Sequence, residues 1–243
     1  SHCPVIWRFA IWYWVLSVTV TEPLSSFAAI PSGKQLERKE KSEMKGTRHN
    51  GRSGKNGVYN PLHNDRRFNP EHSEHIDNER VRQNIYWDCY QGYTTMEDKG
   101  KENNFSFEQI ELAFYEEHYG NYVMKQNERH VKARHPDRCK EVEDVWKNKK
   151  TCPEESIYQL GTIDEHASVE TLILVFDEFK KEFDERFGSN VHIIDWSLHM
   201  DEATPHIHER HVFDATNRYG EIEPKQETAL EELGFELPDP EKK

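Results

Sequence analysis

The sequence predicts an α+β fold, a central antiparallel sheet with helices on one face. Three observations carry this. Residues 191–200 and 206–215 alternate apolar and polar in the manner of strands and flank a turn-like Asp201-Glu202-Ala203-Thr204-Pro205. Residues 105–132 and 168–188 carry apolar side chains at helical spacing. Finally, a 12% aromatic content is too high for a disordered acidic chain, so the 243 residues should pack around a core.

In chain order, residues 3–20 are apolar and aromatic, interrupted by Arg8, and resemble a signal-peptide core followed by small residues. The run is short of the roughly 20 residues needed to span a bilayer. The chain opens on Ser1 and its first methionine is Met44, so residues 1–43 are expected to be an appendage outside the fold. The folded domain is expected over 44–243, in a cytoplasmic protein. Phe107, Ile110, Phe114, His118, Tyr122 and Met124 define a long amphipathic helix that Gly120 could bend or divide. A short helix should follow through Val142, Val145 and Trp146, and residues 156–161 read as a strand closed by Gly161. Ser168 is an N-cap for a helix whose Val169, Leu172, Phe176, Phe179, Phe183 and Phe187 form a core stripe, with Gly188 as its stop. The tail, from Leu230 to Lys243, reads as a short helix and a Pro-rich exit where a longer protein could continue.

The net charge of −13 argues at first against a nucleic-acid partner, but it is unevenly distributed. Residues 33–70 carry ten basic against four acidic side chains, a net of +6, while residues 71–243 hold a net of −19. The basic stretch suits an arm on a polyanion. Its Gly-Arg-Ser-Gly-Lys-Asn-Gly run lacks the strand and helix context of a phosphate loop. Cys3, Cys89, Cys139 and Cys152 form no CxxC pair, which excludes a zinc ribbon or disulfide framework. His135 with Cys139 and Cys152 matches no usual zinc spacing, so buried thiols are expected.

Five of the fourteen histidines, His192, His199, His206, His208 and His211, fall between residues 191 and 212. Alternation puts His206 and His208 on one face of a strand and Ile207, Glu209 and His211 on the other. His199, arriving on the preceding strand, can stand opposite that pair. Three neutral imidazoles with open positions make a site for Mn²⁺, Zn²⁺ or a similar divalent cation. Asp201 and Glu202 in the turn are within reach, where a carboxylate could ligate the metal, orient a histidine or accept a proton.

The string His199-Met200-Asp201-Glu202-Ala203-Thr204-Pro205-His206-Ile207-His208 resembles the metal motif of MobV-type (Pre/Mob) plasmid mobilisation and recombination proteins, relaxases of the HUH endonuclease class. His63-Asn64-Asp65-Arg66 is similar to the family's HNxR motif, and Asn84-Ile85-Tyr86-Trp87 approximates an Asn-Tyr pair split by Ile85. The likeness runs in order from Met44 to about Pro240.

The resemblance implies an HUH-relaxase-like sheet and a metal-dependent enzyme that nicks and rejoins one DNA strand at a plasmid or mobile-element transfer origin. It implies His63 as nucleophile forming a covalent phosphoramidate, Glu202 holding its other nitrogen, and Arg66 pairing with phosphate oxygens. His199, His206 and His208 would hold the metal, Mn²⁺ first with Mg²⁺ or Zn²⁺ as alternatives. Arg48, Arg52, Lys55 and Arg67 flank His63 and, with Asn64 and Tyr86, form the expected DNA-facing set. Tyr86 is the rival nucleophile should the resemblance fail. Implied partners are transfer-origin DNA, a second copy through a C-terminal region beyond this chain, and the conjugation machinery of a helper element. Two other readings of the same residues are a metal-dependent phosphodiesterase without a covalent intermediate and a catalytically incomplete DNA-binding accessory protein.

Overall fold

The two alternating runs become the central pair of a sheet in the computed structural model, which describes residues 46–54, 57–67, 76–99 and 104–236. The expected appendage, Met44 and Lys55 lie outside the described residues. The strands are β1 (Gly46–Gly51), β2 (Ser53–Gly54), β3 (Gly57–Val58), β4 (Ile85–Asp88), β5 (Gly92–Thr95), β6 (Glu154–Leu160), β7 (Val191–His199), β8 (His206–Thr216) and β9 (Ile222–Pro224). The main sheet runs β1-β6-β8-β7-β4-β5 with β9 on the end of β8, and β2 and β3 form a separate hairpin. Every pairing is antiparallel.

Register places the histidines. His199 faces His206 and Ser197 faces His208 across β7 and β8, with a bulge between Ile193 and Asp195. Glu155 on β6 is the cross-strand partner of Arg210, and Ile157 of His208. Directly opposed residues share a face, so His199, His206, His208, Arg210 and Glu155 stand on one side. Ile207, Glu209 and His211 stand on the other, as the alternation predicts.

The helices are α1 (Pro61–Asn64), α2 (Met96–Lys99), α3 (Phe107–Lys132), α4 (Val142–Trp146), α5 (Val169–Phe187) and α6 (Gln226–Glu232). At the start of α3, Ser106 accepts from Gln109 N while the Gln109 side chain accepts from Ser106 N, a capping box. The helix runs through Gly120 without dividing. The roughly 1 kcal/mol that glycine costs in a helix is small beside the packing of Phe114, Tyr115, Tyr119 and Val123 on either side of it. Ser168 caps α5 through Thr171 N, and Gly188 ends it.

Helices cover both faces of the sheet rather than one. Leu172, Phe176, Phe183 and Phe187 of α5 pack on Trp196, Leu198, Ile207 and Phe213. On the opposite face, Ile110, Phe114, Tyr115 and Tyr119 of α3 pack with Ile194 and Val212. The reason lies in β7 and β8, which are buried along nearly their whole length and leave no face for water. Among the described residues no helix is long and apolar enough to cross a membrane. Cys89, Cys139 and Cys152 are free thiols; of the two expected to be buried, Cys152 is buried and Cys139 half-buried, while Cys89 is exposed.

Candidate active site

Each histidine of the β7–β8 turn has one nitrogen held by an acceptor, which fixes where its proton sits. His199 Nε2 is 2.8 Å from the Asn64 carbonyl and 3.1 Å from Ser197 Oγ. His206 Nδ1 is 2.8 Å from the Thr204 carbonyl, and His208 Nδ1 is 3.2 Å from Glu155 Oε1. Carbonyls and carboxylates only accept, so these three nitrogens carry hydrogen. The lone pairs therefore lie on His199 Nδ1, His206 Nε2 and His208 Nε2. His206 Nε2 and His208 Nε2 face each other at 3.1 Å. Two lone pairs at that distance repel unless a cation stands between them. Donors on adjacent positions of a metal with bonds of about 2.1 Å are about 3 Å apart. His199 Nδ1 is buried and has no hydrogen-bond partner. Burial, followed by the charges of His208 and Arg66, holds the His199 pKa well below the usual imidazole value, and burial followed by His208 lowers that of His206. His199 and His206 with Glu202 make a donor set that fits a divalent cation, and His208 Nε2 lies against His206 Nε2.

Glu202 closes the cluster, with Oε1 3.7 Å from His199 Nδ1 and Oε2 3.8 Å from His206 Nε2. One donor each from His199, Glu202 and His206, and likewise from His63, His199 and His208, lie within 4.8 Å of one another. His63 comes from α1, whose cap Asn60 accepts from Leu62 N and whose Pro61 presets the first turn. Its ring stands edge-on to His199 and His208, with centroids 5.7 and 5.5 Å away. Burial, then the Arg66 charge, lowers its pKa to about 4, so the ring is neutral at neutral pH.

Arg66 organises this group from within. Its guanidinium donates to both Asp201 oxygens at 2.9 Å, to Glu202 Oε1 at 2.7 Å and to the His63 carbonyl at 3.1 Å. NH1 is also 3.3 Å from His63 Nε2, which must be the acceptor there. The backbone at Arg66 is left-handed, φ 55°, a conformation rare outside glycine and held here by those five acceptor atoms.

The structure places the other expected site residues as follows. The Arg66 fork is buried and occupied by Asp201 and Glu202, so it is not free to clamp a phosphate. Asn64 is 0% exposed and donates to Glu155 Oε2 at 3.0 Å, which removes it from any DNA-facing surface. Tyr86 is also 0% exposed, lying against Phe107 with its hydroxyl toward Met96, and burial pushes its phenol pKa up. Arg48 lies on the opposite face from the histidines, donating to Ser156 Oγ and resting over Tyr158. Arg52 donates to the Cys152 carbonyl and Gln226 and lies 3.6 Å from Glu154. Arg67 alone of the described arginines in that set is exposed beside α1, where it bonds the Asn104 carbonyl. Glu202 is held by Arg66 and turned toward His199 and His206.

The sequence reading did not single out Glu155, Arg210 or Glu111. Arg210 is fully buried and donates to both oxygens of Glu111 at 2.6 and 3.1 Å. Its NH1 is 3.6 Å from Glu155 Oε2, and Glu111 also accepts from Trp146 Nε1 at 2.7 Å. The signal was available for Arg210, which follows His206 and His208 at the same two-residue step.

The family described as plasmid recombination enzyme, Mob_Pre, matches residues 99–229. That span, over half of the chain, holds Glu111, Glu155, Glu202 and the three turn histidines, while His63 precedes it. No curated protein matches the chain. Among solved structures, the MobM relaxase domain (MOBV; Mob_Pre) bound to plasmid pMV158 oriT DNA, a Mn-bound crystal structure at pH 6.8, is 18% identical with a TM-score of 0.44, covering 79% of this chain and 88% of that one. A second MobM structure with the same plasmid's DNA, Mn-bound at pH 4.6, is also 18% identical over the same shares, with a TM-score of 0.42. On the strength of the family match, this chain belongs to the Mob_Pre family of plasmid recombination enzymes.

Proposed function

We propose that this protein is a metal-dependent DNA relaxase that nicks and rejoins one strand at a plasmid or mobile-element transfer origin, with His63 as nucleophile. The observation that carries the reading is the set of three histidine lone pairs, each fixed by an acceptor behind its ring, with the neutral His63 ring against them. His199, His206 and His208 would hold the cation, and Glu202 adds a carboxylate oxygen beside them. Such a mixed nitrogen and oxygen set suits Mn²⁺, with Mg²⁺ or Zn²⁺ as alternatives. When bound, the cation would neutralise charge growing on the non-bridging phosphate oxygens.

His63 Nε2 attacks phosphorus, forming a P–N bond as the P–O bond to the departing strand breaks. The departing oxygen takes up a proton, and the imidazole releases its Nδ1 proton to solvent. Rejoining is the reverse. Arg66 keeps Nε2 unprotonated before attack, and Asp201 and Glu202 hold Arg66. Exposed Arg67 offers a contact for the incoming strand. The same reading takes residues 44–243 as the catalytic unit with 1–43 as an appendage, transfer-origin DNA as partner, and delivery of the covalent complex to a helper element's conjugation machinery.

The test is incubation with Mn²⁺ and supercoiled plasmids carrying candidate origins, followed by sequencing of nicked sites and trapping of the adduct. Wild type should form an acid-labile protein–DNA adduct that His63→Ala lacks. An adduct surviving in His63→Ala removes the histidine mechanism, and nicking without any adduct leaves a simple phosphodiesterase.

A further inference from the structure

We propose that Glu155 is a positioning residue that sets the tautomers of the metal-site histidines and ties them to the helix carrying His63. The inference rests on the metal-site reading above and goes beyond the turn histidines and the His63 motif. Glu155 sits on β6, distant in sequence from both. It is buried, and its two oxygens take different partners: Oε1 is 3.2 Å from His208 Nδ1, and Oε2 accepts from Asn64 Nδ2 at 3.0 Å.

The first contact keeps the His208 proton on Nδ1 and leaves Nε2 open. Without that acceptor the proton can move to Nε2 and close the lone pair. The second contact acts at one remove. Asn64 is the neighbour of His63, and its main-chain carbonyl takes the His199 Nε2 proton at 2.8 Å. One carboxylate thus fixes His208 directly and His199 through Asn64, and in doing so spaces both from the His63 ring. Arg210, clamped by Glu111, stands 3.6 Å from Oε2 and offsets part of the buried charge, so Glu155 is held in place from behind. Carboxylates in this position behind ligating histidines typically change metal affinity about 10- to 100-fold when altered.

The experiment is Mn²⁺ titration by calorimetry on wild type, Glu155→Gln, Asn64→Ala and the remote control Glu221→Gln, together with long-range ¹⁵N–¹H spectra of the imidazoles in metal-free protein. Glu155→Gln should weaken Mn²⁺ binding by about 10- to 100-fold and shift the His208 nitrogens away from the Nδ1–H pattern. Asn64→Ala should weaken binding several-fold while His208 keeps its pattern, and Glu221→Gln should match wild type. Mn²⁺ affinity of Glu155→Gln within about twofold of wild type, with an unchanged His208 pattern, overturns the proposal. If Glu155→Gln does not fold, Asn64→Ala decides, because unchanged affinity there breaks the link to the nucleophile helix. Failure of wild type to take up Mn²⁺ removes the metal reading instead, and the metal-free imidazole spectra still judge the tautomer claim.

Discussion

Replacing Arg66 by alanine separates an organising arginine from a phosphate clamp. In the structure its side chain is 0% exposed and neutralises Asp201, also 0% exposed, with Glu202 as a second partner. Removing one partner of a buried ion pair typically costs about 3–5 kcal/mol, because the remaining charge is left without compensation. For a chain of this size each kcal/mol shifts the melting temperature by about 2–4 °C, so Arg66→Ala should melt about 6–20 °C below wild type. Lysine cannot reproduce the planar fork and should recover only part of this. The second half of the assay is DNA affinity by fluorescence anisotropy across a salt series, at a temperature where both proteins are folded. A phosphate contact contributes about 0.9 to the slope of log K against log salt. An internally paired Arg66 contributes none, so the slope should not change. Melting within about 2 °C of wild type with a slope lower by about one contact would refute the organising role and restore the clamp.

Tyr86→Phe should nick and form adduct at rates within about twofold of wild type, with a stability loss of about 1 kcal/mol, since its hydroxyl is buried beside Met96. A lost adduct would make Tyr86 the nucleophile. Arg48→Ala should lower the melting temperature while leaving origin affinity and its salt slope unchanged, because Arg48 binds Ser156 on the sheet face away from the histidines; a shallower salt slope would put it on DNA. Glu221 is held at about 2 by its hydrogen bond from Arg129, below its ordinary 4.5. A depressed carboxyl stabilises the fold above its unfolded value and loses that contribution as pH falls through the folded one. Wild type should therefore exceed Glu221→Gln in melting temperature at pH 7, and the two should converge between pH 4.5 and about 2. A difference independent of pH in that window would assign Glu221 no ionic role.

Alternation alone placed His206 and His208 on one face and opposed His199 to them, since strand periodicity is local and survives folding. Ser106-to-Lys132 and Ser168-to-Gly188 were legible for the same reason, with caps and apolar stripes all within a few residues of each other. What the sequence concealed was long-range. His63-Asn64-Asp65-Arg66 reads as a surface motif, yet three of its four side chains are buried by partners that lie far along the chain: Glu155, Asp201 and the Phe107 amide. Charge counts misled in the same way. The basic stretch around His63 looks like a DNA surface, but Arg48, Arg52 and Arg66 each meet an internal acceptor that only the sheet order brings near. Helices on both faces were likewise hidden, because they follow from which strands end up central.

A helix of one turn has no stability of its own, and α1 is fastened instead at its corners. Asn64 is tied to Glu155, Asp65 to the first amide of α3, and Arg66 to Asp201. The element that carries His63 is thus tied at three successive residues to the sheet, to α3 and to the β7–β8 turn. If the proposed nicking and rejoining run over the same barrier in both directions, this fastening assigns the movement to the DNA. In the proposed mechanism the strand ends would travel to and from the His63 imidazole, and a cut strand that stayed docked would meet the same geometry on its return as on its departure.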